Sequence, residues 1–270
     1  MKQRVISAAV AAVIVIPLFI IGGWPFNLGV AIIAALAFIE IMKLKESHSA
    51  LPNIIRIIGF LAIELVTLSG YNVAFSIYNG ISFVSVASTC LLLLIPTIFI
   101  AKDKYTTRDA LYLIGFILFV GTFLNLLISI RAFNRELLIY LVLIAVITDT
   151  FAYIIGMLIG KHKLIPSVSP KKSIEGSVGG SLLGTIVASA FYMNIVSNVW
   201  NVVIVVIMTL ILSILGQIGD LLFSKIKREN KIKDFSNIMP GHGGILDRLD
   251  SLSFIVLGYI ILFNIINMFI

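Results

Sequence analysis

Apolar runs of about 18–25 residues, the length of helix that crosses roughly 30 Å of hydrocarbon, recur between the charged residues of this chain. No other feature constrains its fold as strongly. Backbone inside a bilayer must satisfy its own hydrogen bonds, so repeated runs of this length call for helices. The charged fraction agrees, at 12% of 270 residues against roughly 25% in soluble domains. The expected fold is all-α, a polytopic integral membrane protein.

Polar punctuation divides the runs into about nine spans, near 5–22, 27–43, 54–70, 80–101, 109–130, 136–160, 176–194, 199–223 and 251–269. The basic start followed by apolar residues has the outline of a signal peptide. The apolar stretch is long, however, and blends into Gly22-Gly23-Trp24 without a cleavage pattern, so it reads as the first span. With nine spans, eighteen of the 20 lysines and arginines share one side, and only Arg131 and Arg135 fall on the other. That asymmetry makes the basic side cytoplasmic, with the N-terminus cytoplasmic and the C-terminus outside. The net charge of +7 then reflects topology and attraction to anionic headgroups, not nucleic acid, which would have no soluble domain to bind. Cys90 is alone, so neither an intrachain disulfide nor a cysteine-rich metal site is available.

Residues 1–270 therefore read as a single membrane domain, whose longest extramembrane segments are the cytoplasmic loops 161–175 and 225–250. Any chemistry must be built from helix ends and these loops. The segment Ser224–Asp250 alone carries ten charged side chains. Besides Asp109 and Glu136, which open spans, four acids fall within spans, and each is a functional candidate because a carboxylate in hydrocarbon is costly unless paired, hydrated or neutral. Glu40 lies one turn from Lys43 and is expected to pair with it or snorkel. Glu64, two turns beyond Arg56, suits a protonated hydrogen bond between helices and has no assigned role. Asp149 has Thr148, Thr150 and Tyr153 as neighbours in sequence, which suits a polar packing cluster as well as catalysis. Asp220 lies where a helix leaves the membrane, in Gly216-Gln217-Ile218-Gly219-Asp220, and can hold a metal or pair with nearby lysines.

Asp247 and Asp250 are three apart, so on a helix they share a face. With Asp220 they would suit a hard cation such as Mg²⁺, which takes a few carboxylates and leaves the rest of its shell to water and phosphate. Complementing a helix dipole is the plainer role for such acids. It accounts neither for Arg248 between them nor for the preceding Pro240-Gly241-His242-Gly243-Gly244, whose glycines let backbone approach a ligand closely. His242 suits a phosphate, a base or a capping role. The loop 161–175 supplies Lys161, Lys163, Lys171 and Lys172, for a triphosphate or simply for topology, with Pro166 and Pro170 forbidding a continuous helix. Gly176, Gly180 and Gly184 form a small-residue stripe for close helix packing. Together with Gly156 and Gly160 they would serve a homodimer or a single chain alike.

Ser224, Lys227-Arg228, Lys233-Asp234, Pro240, His242-Gly243-Gly244 and Asp247-Arg248-Leu249-Asp250 resemble, in order and spacing, the signature of the phosphatidate cytidylyltransferase (CDP-diglyceride synthase) family. Asp149–Gly156 and Ser169–Gly176 also resemble family segments. The similarity covers about 141–250, the expected catalytic half, and the first five helices match only in being hydrophobic. The resemblance implies that CTP and phosphatidic acid give CDP-diacylglycerol and pyrophosphate, for phospholipid synthesis. It implies a catalytic set of Asp220, Asp247, Asp250, Lys233 and Asp234. Asp220 and Asp247 would hold the metal, with Asp250 as a further ligand or orienter. The cofactor would be Mg²⁺, as one or two divalent or mixed cations. Lys171, Lys172, Lys227, Arg228, Lys233 and Arg248 would meet phosphates, His242, Gly243 and Gly244 would line the nucleotide, and Asp149 would support the site. The implied location is the plasma membrane of a prokaryote, with the site facing the cytoplasm. A transporter is the rival of a different class, but it predicts charges near the midplane and symmetric halves. A CTP-dependent enzyme for another lipid phosphate is the nearer rival.

Overall fold

The computed structural model describes residues 2–46, 50–69, 83–101, 104–197, 199–239, 241 and 243–269. The expected start of the fourth span at 80–82, together with Lys102, Pro240 and His242, lies outside the described residues. The chain folds as two compact units, one of Met1–Phe133 with Asp234–Leu246, the other of Asn134–Lys233 with Asp247–Ile270. The catalytic half expected at 141–250 therefore draws on both.

The first unit contains α1 (Lys2–Ile21), α2 (Gly23–Glu46), α3 (Asn53–Leu68), α4 (Phe83–Leu91), α5 (Pro96–Phe99) and α6 (Thr107–Phe133). The fourth expected span is broken, with a 3₁₀ turn at Leu92–Leu94 between α4 and α5. Pro96 is the physical reason, since it lacks a backbone donor and crowds the preceding turn. Thr97 Oγ1 and Tyr105 Oη donate to the freed carbonyls of Leu94 and Leu93, at 2.6 Å and 3.0 Å. A reciprocal cap starts α6. Thr106 Oγ1 accepts from the Asp109 N–H at 3.2 Å, and the Asp109 carboxylate accepts from the Thr106 N–H at 2.9 Å. Lys45 on α2 pairs with the same Asp109 at 2.6 Å.

The second unit contains α7 (Arg135–Ile159), β1 (Lys163–Ile165), β2 (Ser169–Ser173), α8 (Ile174–Phe191), α9 (Val202–Glu229) and α10 (Leu246–Phe269), whose first residue counts with the first unit. Side chains of Asn134, Ser173 and Asn201 cap α7, α8 and α9, as short polar side chains do at helix starts. Helix α8 packs on α7 along the glycine stripe. A Cβ at Gly180 would fall 2.6 Å from the Thr148 carbonyl oxygen, and one at Gly176 2.5 Å from that of Ala152. The stripe thus serves packing within the chain. Small residues are needed there because lipid tails give no hydrophobic drive between helices and contact must come from close approach. A polar seam runs alongside. Thr148 bonds Ser213 at 2.8 Å, Ser213 donates to Ser181 at 3.2 Å, and Gln217 donates to Ser181 at 2.7 Å. Residues 161–175, expected as a loop, hold the antiparallel hairpin β1–β2, with Lys163 opposite Ser173.

Among the described residues, six helices are long and apolar enough to cross a membrane: Gly23–Lys45, Thr107–Phe133, Arg135–Ile159, Ile174–Val196, Val202–Glu229 and Leu246–Phe269. Two shorter apolar helical stretches accompany them, Ala9–Ile21 within α1 and Val86–Phe99 across α4, the 3₁₀ turn and α5. The fold is nearly all-α, and this set of helices is that of an integral membrane protein.

Candidate active site

In the second unit, strand β2 and helices α7, α9 and α10 bring charged groups together. On β2, Lys171 is exposed and Lys172 is half-buried, and Lys172 pairs with Asp220 on α9. Two turns further along α9, Lys227 reaches Asp247 in the first turn of α10, Nζ to Oδ1 at 2.6 Å. This pair is nearly buried, with side chains 10% and 5% exposed. On α7, Asp149 is within electrostatic reach of Lys172 and Asp220, and Asp250 is within reach of Asp220, Asp149 and Lys227. Gly219 permits this crowding, since a Cβ there would fall 2.6 Å from the Asp250 carbonyl oxygen. Asp149 does not bond its sequence neighbours. Thr148 turns to Ser213 and Thr150 to the Val146 carbonyl, while the Asp149 carboxylate accepts from Ser251 at 3.4 Å.

The remaining expected phosphate ligands of this unit are exposed. Arg228 lies in the last turn of α9, Lys233 just beyond that helix, and Arg248 is exposed on α10. Arg228 donates to the Ile232 carbonyl at 3.1 Å, across the turn that ends the helix. The Ile232 N–H bonds Lys227 O and the Lys231 N–H bonds Arg228 O, each at 3.0 Å, with Lys231 at φ 56°. This is a paired helix stop in which a lysine occupies the left-handed position glycine usually takes.

Asp234 and the glycine turn belong to the first unit. Asp234 is exposed. Gly241 and Gly243 have φ of 78° and 83°, a backbone that side chains with a Cβ rarely adopt. Met239 N–H bonds Gly243 O at 3.0 Å and closes the turn. Gly244 and Gly243 are buried. The expectation for Glu40 is corrected here. It is fully buried, and its carboxylate accepts from Ser236 Oγ at 2.6 Å, Ile245 N–H at 2.7 Å and Leu246 N–H at 3.0 Å. Donors about two hundred residues away leave no trace in the local sequence. Only the presence of an acid in an apolar run signals that partners must exist.

The donor set of the second unit suits a hard divalent cation, because Asp220, Asp247 and Asp250 offer oxygen ligands and no sulfur. Lysine ammonium groups stand against two of these carboxylates, and among the described residues no cluster of three or more acids, histidines or cysteines is drawn in close enough to hold an ion. The arrangement can balance several phosphate charges with fixed cations and offers carboxylates beside them.

The sequence model of the cytidylyltransferase family matches residues 2–266. The chain belongs to this family. A phosphatidate cytidylyltransferase of Staphylococcus haemolyticus (strain JCSC1435) is 34% identical over 259 residues, which are 95% of this chain and 96% of the relative. That of Staphylococcus aureus (strain COL) shows the same identity and coverage. The enzyme of Bacillus subtilis (strain 168) is 32% identical over 259 residues, covering 95% of each chain. The family match takes in the first five helices, and membership makes this chain a nucleotidyltransferase.

Proposed function

We propose that this protein transfers the CMP moiety of CTP to the phosphate of phosphatidic acid, releasing pyrophosphate and forming CDP-diacylglycerol in a bacterial plasma membrane. The observation that carries the reading is the gathering of Lys172, Lys227, Asp220, Asp247, Asp250 and Asp149 on adjoining helix ends of one unit, in a family whose relatives act on phosphatidate.

The attacking group is a lipid phosphate oxygen, the electrophile is the α-phosphorus of CTP, and pyrophosphate leaves. Every participant is anionic, so the work of the site is to neutralise repulsion and hold the groups in line. Lys172 and Lys227 are the inward cations, and they exchange a carboxylate partner for a phosphate oxygen when substrate arrives. Lys171, Arg228, Lys233 and Arg248 are exposed and meet the outer phosphates or the lipid headgroup. His242, Gly243 and Gly244 line the nucleotide, with Asp234 beside Lys233 at the start of their segment. Asp220 and Asp247 would hold Mg²⁺, alone or with a second cation, with Asp250 as a further ligand or orienter. When bound, the ion supplies Lewis-acid charge to the phosphoryl oxygens. Nine spans, with N-terminus and site on the cytoplasmic face and the C-terminus outside, agree with the lysine and arginine asymmetry. If the protein dimerises, it does so through a surface other than the Gly176–Gly184 stripe.

Pyrophosphate release by purified protein in detergent, given CTP, Mg²⁺ and phosphatidic acid, tests the reading. Release should require all three and vanish in Asp247→Asn. Silence from folded protein with phosphatidic acid, but release with another lipid phosphate, would replace the substrate.

A further inference from the structure

Helix α10 starts at Leu246, after Ile245, whose apolar side chain has no acceptor to offer the N–H groups of the opening turn. An acceptor comes from α2. Glu40 takes the N–H of Ile245 at 2.7 Å and of Leu246 at 3.0 Å, and with the same carboxylate the hydroxyl of Ser236 at 2.6 Å. One side chain therefore fastens both ends of the segment from Ser236 to Leu246, which contains the left-handed glycines Gly241 and Gly243. Gly244 is shaped to this contact, because a Cβ there would sit 2.5 Å from Glu40 Oε1. An acceptor brought from a distant helix sets where along the chain α10 starts and where the glycine turn is held.

We propose that Glu40 is a positioning residue for catalysis, a clamp that fixes the glycine turn and the helical register from which Asp247, Arg248 and Asp250 follow. The clamp rests on the cytidylyl transfer proposed above and touches no reacting atom. A carboxylate buried in a span and satisfied by three donors is otherwise an expensive way to do what an apolar residue would do by packing.

The test is steady-state kinetics of Glu40→Gln on CTP and phosphatidic acid, with hydrogen exchange of the 241–250 amides in detergent. The amide group puts a donor where an acceptor is needed, so the clamp predicts faster exchange in that segment. It also predicts kcat lower by about tenfold or more, as small misplacements cost, with KM for phosphatidic acid within about twofold. Ser236→Ala, which removes one contact and keeps the carboxylate, should show the same split to a smaller degree and serves if Glu40→Gln does not fold. Faster exchange with unchanged kcat per folded enzyme would reduce Glu40 to a structural residue and overturn the proposal, as would unchanged exchange. Should the wild type release no pyrophosphate at all, the transfer reading itself fails, and the exchange measurement still decides whether the clamp exists.

Discussion

Lys227 Nζ and Asp247 Oδ1 lie 2.6 Å apart, joining the last turn of α9 to the first turn of α10 in a pair that water barely reaches. Removing one partner of such a pair strands the other charge, which costs about 3–5 kcal/mol where both are buried. Lys227→Met should accordingly lower both the detergent melting temperature and turnover. Asp247→Asn also strands the Lys227 charge but keeps the shape and an oxygen acceptor for it, so it should lower the melting temperature less and lose turnover by about 100-fold or more. Thermal melts beside pyrophosphate release check the contrast. Near-normal turnover in Asp247→Asn would remove its assigned role.

Neighbouring lysines on β2 should behave differently. Lys172 is turned toward Asp220, and Lys171 is exposed. Lys172→Ala is expected to lower kcat/KM for CTP by about tenfold or more, and Lys171→Ala by about threefold or less, since exposed charges contribute little each. Equal losses would mean that the hairpin turns over when nucleotide binds.

Two glycines test helix packing. A Cβ at Gly184 would lie 2.4 Å from Thr148 Oγ1, whereas one at Gly115 on α6 would meet nothing within 4 Å. Gly184→Ala should destabilise by about 1–3 kcal/mol through overpacking, and Gly115→Ala should be neutral or stabilise by up to about 1 kcal/mol through helix propensity. Melting temperatures of the two variants in one detergent decide the matter.

Chelation is the remaining test. EDTA should abolish pyrophosphate release without lowering the melting temperature by more than a few degrees, and excess Mg²⁺ should restore it. Activity that survives chelation would assign the neutralising work to Lys172, Lys227 and the exposed basic residues alone.

The family motif is legible because its spaced residues lie in one stretch of chain. The need for glycine in its turn holds at Gly241 and Gly243. Glu40 was not legible, because its donors are contributed by a segment some two hundred residues on. For Asp149 only the reading of Thr148 and Thr150 as its partners fails, for a related reason. Helical neighbours in sequence point in different directions, so Thr148 and Thr150 turn elsewhere and its partner comes from α10. The fourth span was drawn as continuous because its hydropathy is continuous, and the break at Pro96 follows from backbone geometry that hydropathy does not weigh.

By itself, the amino-acid sequence determined the helical class, the apolar lengths, the charge asymmetry and the family motif. These are properties of composition and spacing along one dimension, and a bilayer acts on them directly. Tertiary structure alone decided which lysine faces which carboxylate, that loop 161–175 pairs into a hairpin, that the glycine stripe is used inside the chain, and that Glu40 caps a helix it does not adjoin. Such choices depend on which helix faces meet. In lipid that is settled by close packing and by the demand that every buried polar group find a partner, neither of which is encoded in any single segment.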